Sequence, residues 1–181
     1  MKKIFLTLLL FAPVVLNAQQ RYIARNGHIS FFSHAPIEDI EANNNAVSSV
    51  LSNGGMAFEA PIKSFEFKKE LMQEHFNENY LESDKFPKAT FKGTIIDFNK
   101  IDLKKNGVYP VAVDGNMTIH GVTNKVKIKG TLTVKDNTIR AQSSFPISIK
   151  DYNISIPTLV IEKIAEVVQV TVDITYQPYT K

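Results

Sequence analysis

Apolar side chains occupy every second position in several segments of this 181-residue chain. The clearest segment is 168–176, where Val, Ile and Tyr alternate with Gln, Thr and Asp. Successive side chains of a β-strand point to opposite faces, so the pattern predicts strands with one dry and one solvated face. The other segments with this pattern are 56–62, 90–98, 111–119, 125–135 and 139–149. Segments 21–33 and 47–51 bring the prediction to about eight strands.

Turn dipeptides lie between many of these segments, at Asn53-Gly54, Asn106-Gly107, His120-Gly121 and Asp136-Asn137. Such pairs tolerate the positive φ angles of tight hairpins, so consecutive strands are expected to pair. The chain is therefore predicted to be all-β, a single antiparallel up-and-down β-barrel of about eight strands, because closure removes sheet edges and encloses the apolar faces. A two-sheet sandwich is the alternative.

Two segments depart from strand periodicity. In 68–81, Met72, Phe76 and Tyr80 are spaced four residues apart, which predicts one short amphipathic helix. Segment 151–165 is too apolar for an ordinary solvated loop. We expect it to close or line the mouth of the barrel.

The N-terminus has the features of a secretory signal peptide over residues 1–18: two lysines, an apolar stretch, and Ala18 at the expected cleavage site. Cleavage would leave one domain over 19–181, exported to the periplasm or secreted, and would lower the formal charge from +3 to +1. An uncleaved anchor is the alternative, although the apolar stretch is shorter than the roughly 20 residues that span a bilayer, and we expect no stable membrane insertion. No basic segment interleaved with aromatic residues indicates nucleic-acid binding.

Two stretches carry a resemblance to a known family. Residues 71–93 read LMQEHFNENYLESDKFPKATFKG, and residues 115–123 read GNMTIHGVT. Both resemble the YceI-like family of lipid- or polyisoprenoid-binding proteins. The resemblance implies an exported, lipocalin-like barrel whose apolar interior holds a polyisoprenoid, a quinone-like molecule, or a fatty acid or amide. It also implies a binding protein and not an enzyme.

The dry faces of the strands supply the candidate binding residues. An eight-stranded barrel can be filled by its own side chains or can hold one small ligand, and alternation alone leaves both open; the resemblance favours a ligand. The predicted lining residues are Phe31, Phe58, Ile62, Phe91, Ile95, Val113, Met117, Ile128, Leu132, Phe145, Ile147, Val168, Val170 and Val172. The predicted mouth or headgroup contacts are Met72, His75, Phe76, Ile156 and Leu159.

The sequence shows no catalytic or metal-binding motif. The four histidines form neither His-x-His nor His-Glu-x-x-His, and the chain lacks cysteine, a Gly-x-Ser-x-Gly elbow and a Gly-rich phosphate loop. We therefore predict no catalytic residue, no metal and no cofactor. Two alternatives remain: a lipid-modifying enzyme that uses His75 or His120, and an exported interaction module with a solid core. The sequence is also compatible with a homodimer.

Overall fold

The structure of the protein is a computed structural model that describes residues 20–34, 38–156 and 165–179. The predicted signal peptide, residues 1–18, lies outside the described residues, as does Leu159.

Within these described ranges, nine strands form one antiparallel sheet that closes into a barrel. In chain order they are β1 (Arg21–His34), β2 (Asp39–Ser52), β3 (Gly55–Pro61), β4 (Glu66–Phe67), β5 (Lys88–Ile95), β6 (Gly107–Ile119), β7 (Val122–Lys135), β8 (Thr138–Ser148) and β9 (Val167–Pro178). Eight of them pair around the ring in chain order, and β1 closes it by pairing with both β2 and β9. The two-residue β4 is an addition to β2. The predicted eight-stranded up-and-down barrel is confirmed.

Three of the four predicted hairpin turns are present. At Asn53-Gly54, His120-Gly121 and Asp136-Asn137 both residues have positive φ, between 49° and 75°. The prediction for Asn106-Gly107 is wrong, because Gly107 begins β6 and the chain from β5 first passes through a short 3₁₀ turn, Phe98–Lys100. This connection folds back over the β2–β3 turn, where a Cβ atom on Gly54 would lie 2.7 Å from Phe98 Cγ.

The helix lies between β4 and β5. It consists of α1 (Glu70–His75) followed by a wider π turn, Phe76–Tyr80, within the predicted 68–81. The connection that carries it crosses the end of the barrel where β3 finishes and β5 begins, which we call the open end.

The opposite end is filled by side chains, and we call it the closed end. It contains the start of β1 and the turns at Asn53-Gly54 and Asp136-Asn137. Its side chains of 2% exposure or less include Tyr22, Leu51, Ile95, Leu132, Val134, Ile139, Ile174 and Tyr176. Side chains therefore fill the half of the barrel at the closed end.

Candidate ligand-binding site

A cavity of about 400 Å³ occupies the open half of the barrel. Strand residues form its walls, and the helix and the segment before residue 157 lie at its mouth. The lining residues are Ile29, Phe31, Ser33, Glu38, Ile40, Phe58, Ala60, Ile62, Phe65, Phe67, Lys69, Leu71, Met72, His75, Phe76, Tyr80, Leu81, Ala89, Thr90, Met117, Ile119, Phe145, Ile147, Ile149, Ile154, Ile156, Val168 and Val170. The lining is thus almost entirely apolar.

Four phenylalanines form an aromatic cluster in the cavity wall: Phe31, Phe65, Phe67 and Phe76. Phe76 stacks on Phe31 with ring centroids 5.6 Å apart, and lies 5.0 Å from Phe67 and 5.5 Å from Phe65. Aromatic pairs in this distance range stabilise packing beyond the area they bury. The cluster therefore holds the helical segment against β1 and β4.

Phe58 and Phe91 mark the inner limit of the cavity. Their rings stack with centroids 5.3 Å apart; Phe58 lines the cavity, whereas Phe91, which is 3% exposed, does not. A Cβ atom on Gly93 or Gly115 would lie 2.7 Å from the Phe91 ring. The two glycines, which pair across β5 and β6, therefore make room for that ring.

The structure divides the predicted lining residues into two groups. Those on the cavity wall are Phe31, Phe58, Ile62, Met117, Phe145, Ile147, Val168 and Val170. Those inside the barrel but away from the cavity, packed in or against the core, are Phe91, Ile95, Val113, Ile128, Leu132 and Val172. At the mouth, Met72, His75, Phe76 and Ile156 line the cavity.

Sequence reasoning missed several lining residues, chiefly Phe65 and Phe67 of the aromatic cluster. Phe65 and Phe67 flank the exposed Glu66, so the signal was an apolar–polar–apolar triplet. Such a triplet is too short to identify a strand.

Polar groups gather at the mouth. Lys69 Nζ donates a hydrogen bond to Glu38 Oε1, and both side chains line the cavity together with His75. The buried Ser33 Oγ accepts from the backbone N–H of Ala165 at 3.1 Å. The mouth thus combines one ion pair, whose charges offset each other, with one histidine.

His120 lies in the β6–β7 turn and does not line the cavity. Its Nε2 lies 2.6 Å from Glu82 Oε2, and its Nδ1 lies 3.2 Å from the carbonyl oxygen of Tyr152. Both ring nitrogens therefore face oxygen atoms of neighbouring connections. The hydrogen bond from His120, helped by the charge of Lys85, lowers the pKa of Glu82. His120 therefore fastens this turn to two neighbouring connections.

The other histidines differ in their surroundings. His28 bonds to Asn45 and His34 to Asp39, both at exposed positions. Of the four, only His75 reaches the cavity. Among the side chains that the structure describes, no group of three His, Cys, Asp or Glu residues is placed to hold a metal ion. In residues 20–34, 38–156 and 165–179, no helix has the length and apolarity to cross a membrane.

An eight-stranded antiparallel barrel with an apolar hollow at one end has the architecture of the small up-and-down barrels that enclose one ligand. Residues 22–176 match the YceI-like domain, and the chain belongs to this family.

Solved structures share the fold at low sequence identity. A polyisoprenoid binding domain from Saccharophagus degradans superposes with a TM-score of 0.78 at 16% identity, covering 90% of this chain and 100% of its own. BcnA from Burkholderia cenocepacia gives 0.65 at 16% identity, covering 82% and 95%. The YCEI protein of Campylobacter jejuni gives 0.62 at 14% identity, covering 82% and 90%. No curated protein matches the sequence.

Proposed function

We propose that this protein is an exported binding protein that holds one long-chain amphiphilic lipid with its tail in the cavity. The candidate ligands are a polyisoprenoid, a quinone-like molecule, or a fatty acid or amide, bound for transport, storage or sequestration. The observation that carries the proposal is the 400 Å³ apolar cavity behind a mouth that holds polar groups. Membership of the YceI-like family supports it.

The energetics favour a long tail. Burying one CH₂ group contributes about 0.8 kcal/mol, whereas association costs on the order of 4–15 kcal/mol. A ligand that buries ten or more carbons overcomes much of this cost without an ion pair. Short apolar molecules would bind weakly in the same cavity.

A binding role explains the polar groups at and near the mouth better than a catalytic role does. An enzyme would need a base that a further group orients toward the substrate. His75 alone among the histidines lines the cavity, and His120 is already bonded through both nitrogens. The solid-core alternative describes the closed end of the barrel, but not the open end.

Native mass spectrometry of protein purified from its own host, followed by displacement of cis-parinaric acid from delipidated protein, tests the proposal. Ala60→Phe, which fills the cavity, should abolish probe binding, because Ala60 lines it. Ala57→Phe is the matched control, since Ala57 lies on the same strand and does not line the cavity. An empty protein that also takes up no probe would refute the proposal.

Export is tested separately. We propose that residues 1–18 are removed and that the domain begins at Gln19. The intact mass of the protein recovered from the periplasm or medium should equal that of residues 19–181. Recovery of the uncleaved chain in the cytoplasm would contradict this.

A further inference from the structure

The cavity has an inner end as well as a mouth, and on β5 and β6 the lining stops at the Phe91 ring. Phe91 extends inward from β5, with its ring stacked on Phe58 and lying against Gly93 of β5 and Gly115 of β6. On β5 and β6, the inward residues above this ring, Ala89 and Met117, line the cavity. Those below it, such as Ile95 and Val113, do not.

The side chains of the closed end, behind Phe91, are tightly packed and cannot easily move apart. Ile95 is 2% exposed, Leu132 1% and Tyr176 0%. The Tyr176 hydroxyl is hydrogen-bonded at 2.7 Å to the buried Ser49 Oγ. Interiors packed at protein density deform at a cost even when a single methylene is added. A tail that reaches Phe91 therefore stops there.

We propose that Phe91 sets the length of the bound tail, so that the site selects single-chain amphiphiles of about 16 carbons and does not enclose much longer chains. This inference rests on the proposed lipid-binding function and specifies its ligand. A cavity of about 150 Å³ that holds benzene gives roughly 25 Å³ per carbon. At that density, 400 Å³ holds about 16 carbons.

The proposal distinguishes between ligands that share chemistry but not length. A farnesyl or palmitoyl tail fits the cavity, whereas an octaprenyl tail leaves most of its carbons outside the mouth. Carbons beyond the cavity remain in water and add nothing to affinity from burial. The site then discriminates between ligands by the length of the tail more than by its branching.

A chain-length series tests this on the wild-type protein without any variant. Delipidated protein is titrated with decanoic, lauric, myristic, palmitic, stearic, behenic and lignoceric acids, which present the same carboxylate at the mouth. Affinity should rise about fourfold for each added methylene, as its burial predicts, and level off near palmitic acid. A continued rise through lignoceric acid would overturn the length limit while leaving lipid binding intact. If no member of the series binds, the selection of single-chain tails of this length is overturned, whereas lipid binding itself is decided by the native mass spectrometry described above.

Variants then test whether Phe91 is the stop. Phe91→Leu shortens the side chain and should move the plateau to longer acids. Ile139→Ala is the control: it removes buried volume at the closed end, away from the cavity, and should leave the plateau at palmitic acid. An unchanged plateau in folded Phe91→Leu, or an equal shift in both variants, would overturn the role of Phe91. If Phe91→Leu does not fold, farnesol against octaprenol on the wild type decides the length limit: tighter binding of octaprenol overturns it, and equal or weaker binding of octaprenol supports it.

Discussion

Tyr176 on β9 donates its hydroxyl hydrogen to Ser49 Oγ on β2, across the interior of the closed end. The two oxygens are 2.7 Å apart, and Ser49 Oγ lies 2.8 Å from the carbonyl oxygen of Ala57. A carbonyl can only accept, so the single serine hydrogen goes to Ala57 and Tyr176 must be the donor to Ser49. Both residues are almost fully buried, so the chain of hydrogen bonds has no water to replace it.

Removing either hydroxyl should therefore destabilise the barrel. We expect Ser49→Ala to lower the free energy of unfolding by about 1–3 kcal/mol, because it leaves the Tyr176 hydroxyl buried without its partner. Tyr176→Phe should cost less than Ser49→Ala, since Ser49 keeps its bond to Ala57. Urea denaturation of both variants and of the double variant measures the coupling. Fully additive effects would show that the hydrogen bond contributes nothing.

Tyr176 should also limit stability at high pH. Burial, opposed only in part by the Ser49 hydrogen bond, raises its pKa from 10.0 to about 12. The unfolded chain therefore loses this proton first as the pH rises above 10, so stability is complete below pH 10 and falls as the pH approaches 12. A shift of two units corresponds to roughly 3 kcal/mol. In Tyr176→Phe the alkaline loss measured by denaturation should be shallower, although not absent, because burial also raises the pKa of Tyr22 and Tyr152.

Glu82 should contribute to the acid limb of stability. The hydrogen bond from His120 lowers the pKa of Glu82 below its usual 4.5, so the folded state favours the carboxylate. This contribution is present above pH 4.5 and is lost as the pH falls through the lowered folded value. Glu82→Gln should be less stable than wild type at neutral pH and should lose less stability on acidification. Glu78→Gln, at an exposed position of the π turn, is the control, and an equal effect there would contradict the assignment.

The glycines next to Phe91 should not tolerate a side chain. A Cβ atom on Gly93 would lie 2.7 Å from the carbonyl oxygen of Asp114, and one on Gly115 equally close to that of Lys92. Because neither backbone oxygen can move freely, we expect Gly93→Ala and Gly115→Ala each to cost about 1–3 kcal/mol in urea denaturation. Gly107→Ala should cost less, since its nearest neighbour is the end of the Tyr109 side chain at 3.3 Å. Similar losses at all three positions would argue against this explanation.

The assignment of inner and outer faces is also testable. Met117→Asp places a charge at a position that is 4% exposed, and we expect a loss of several kcal/mol or failure to fold. Val170→Asp, on the cavity wall, should be destabilising as well. Lys127→Asp, on the solvated face of β7, should have little effect. Thermal unfolding compares the three, and near-equal stabilities would mean that the two faces are wrongly assigned.

Alternation in the sequence predicts most of the barrel, because a half-buried strand has to alternate. The first half of β2 escapes this reasoning, since Asn44 takes an inward position that an apolar residue would normally hold. Asn44 is fully buried, donates to Pro61 O and accepts from Ala46 N–H, both at 2.8 Å. A hydrophobicity pattern cannot identify a buried amide side chain whose hydrogen bonds are satisfied.

The division between cavity and core could not be predicted from the sequence. Val170 and Val172 are identical residues on the same face of β9, yet only Val170 lines the cavity. The difference depends on what lies opposite, because side chains fill the closed end and leave the open end hollow. Periodicity carries no information about such long-range packing.

The two ends of the described chain meet on the far side of the barrel from the mouth. The backbone N–H of Tyr179 donates to the carbonyl oxygen of Arg21 at 2.7 Å. A dye or a surface tether attached next to Arg21 or Tyr179 would consequently sit a whole strand length away from the opening. The same proximity makes the barrel suited to circular permutation: a short linker could join Tyr179 to Arg21, and new ends could be cut at the Asp136-Asn137 turn without disturbing the loading side.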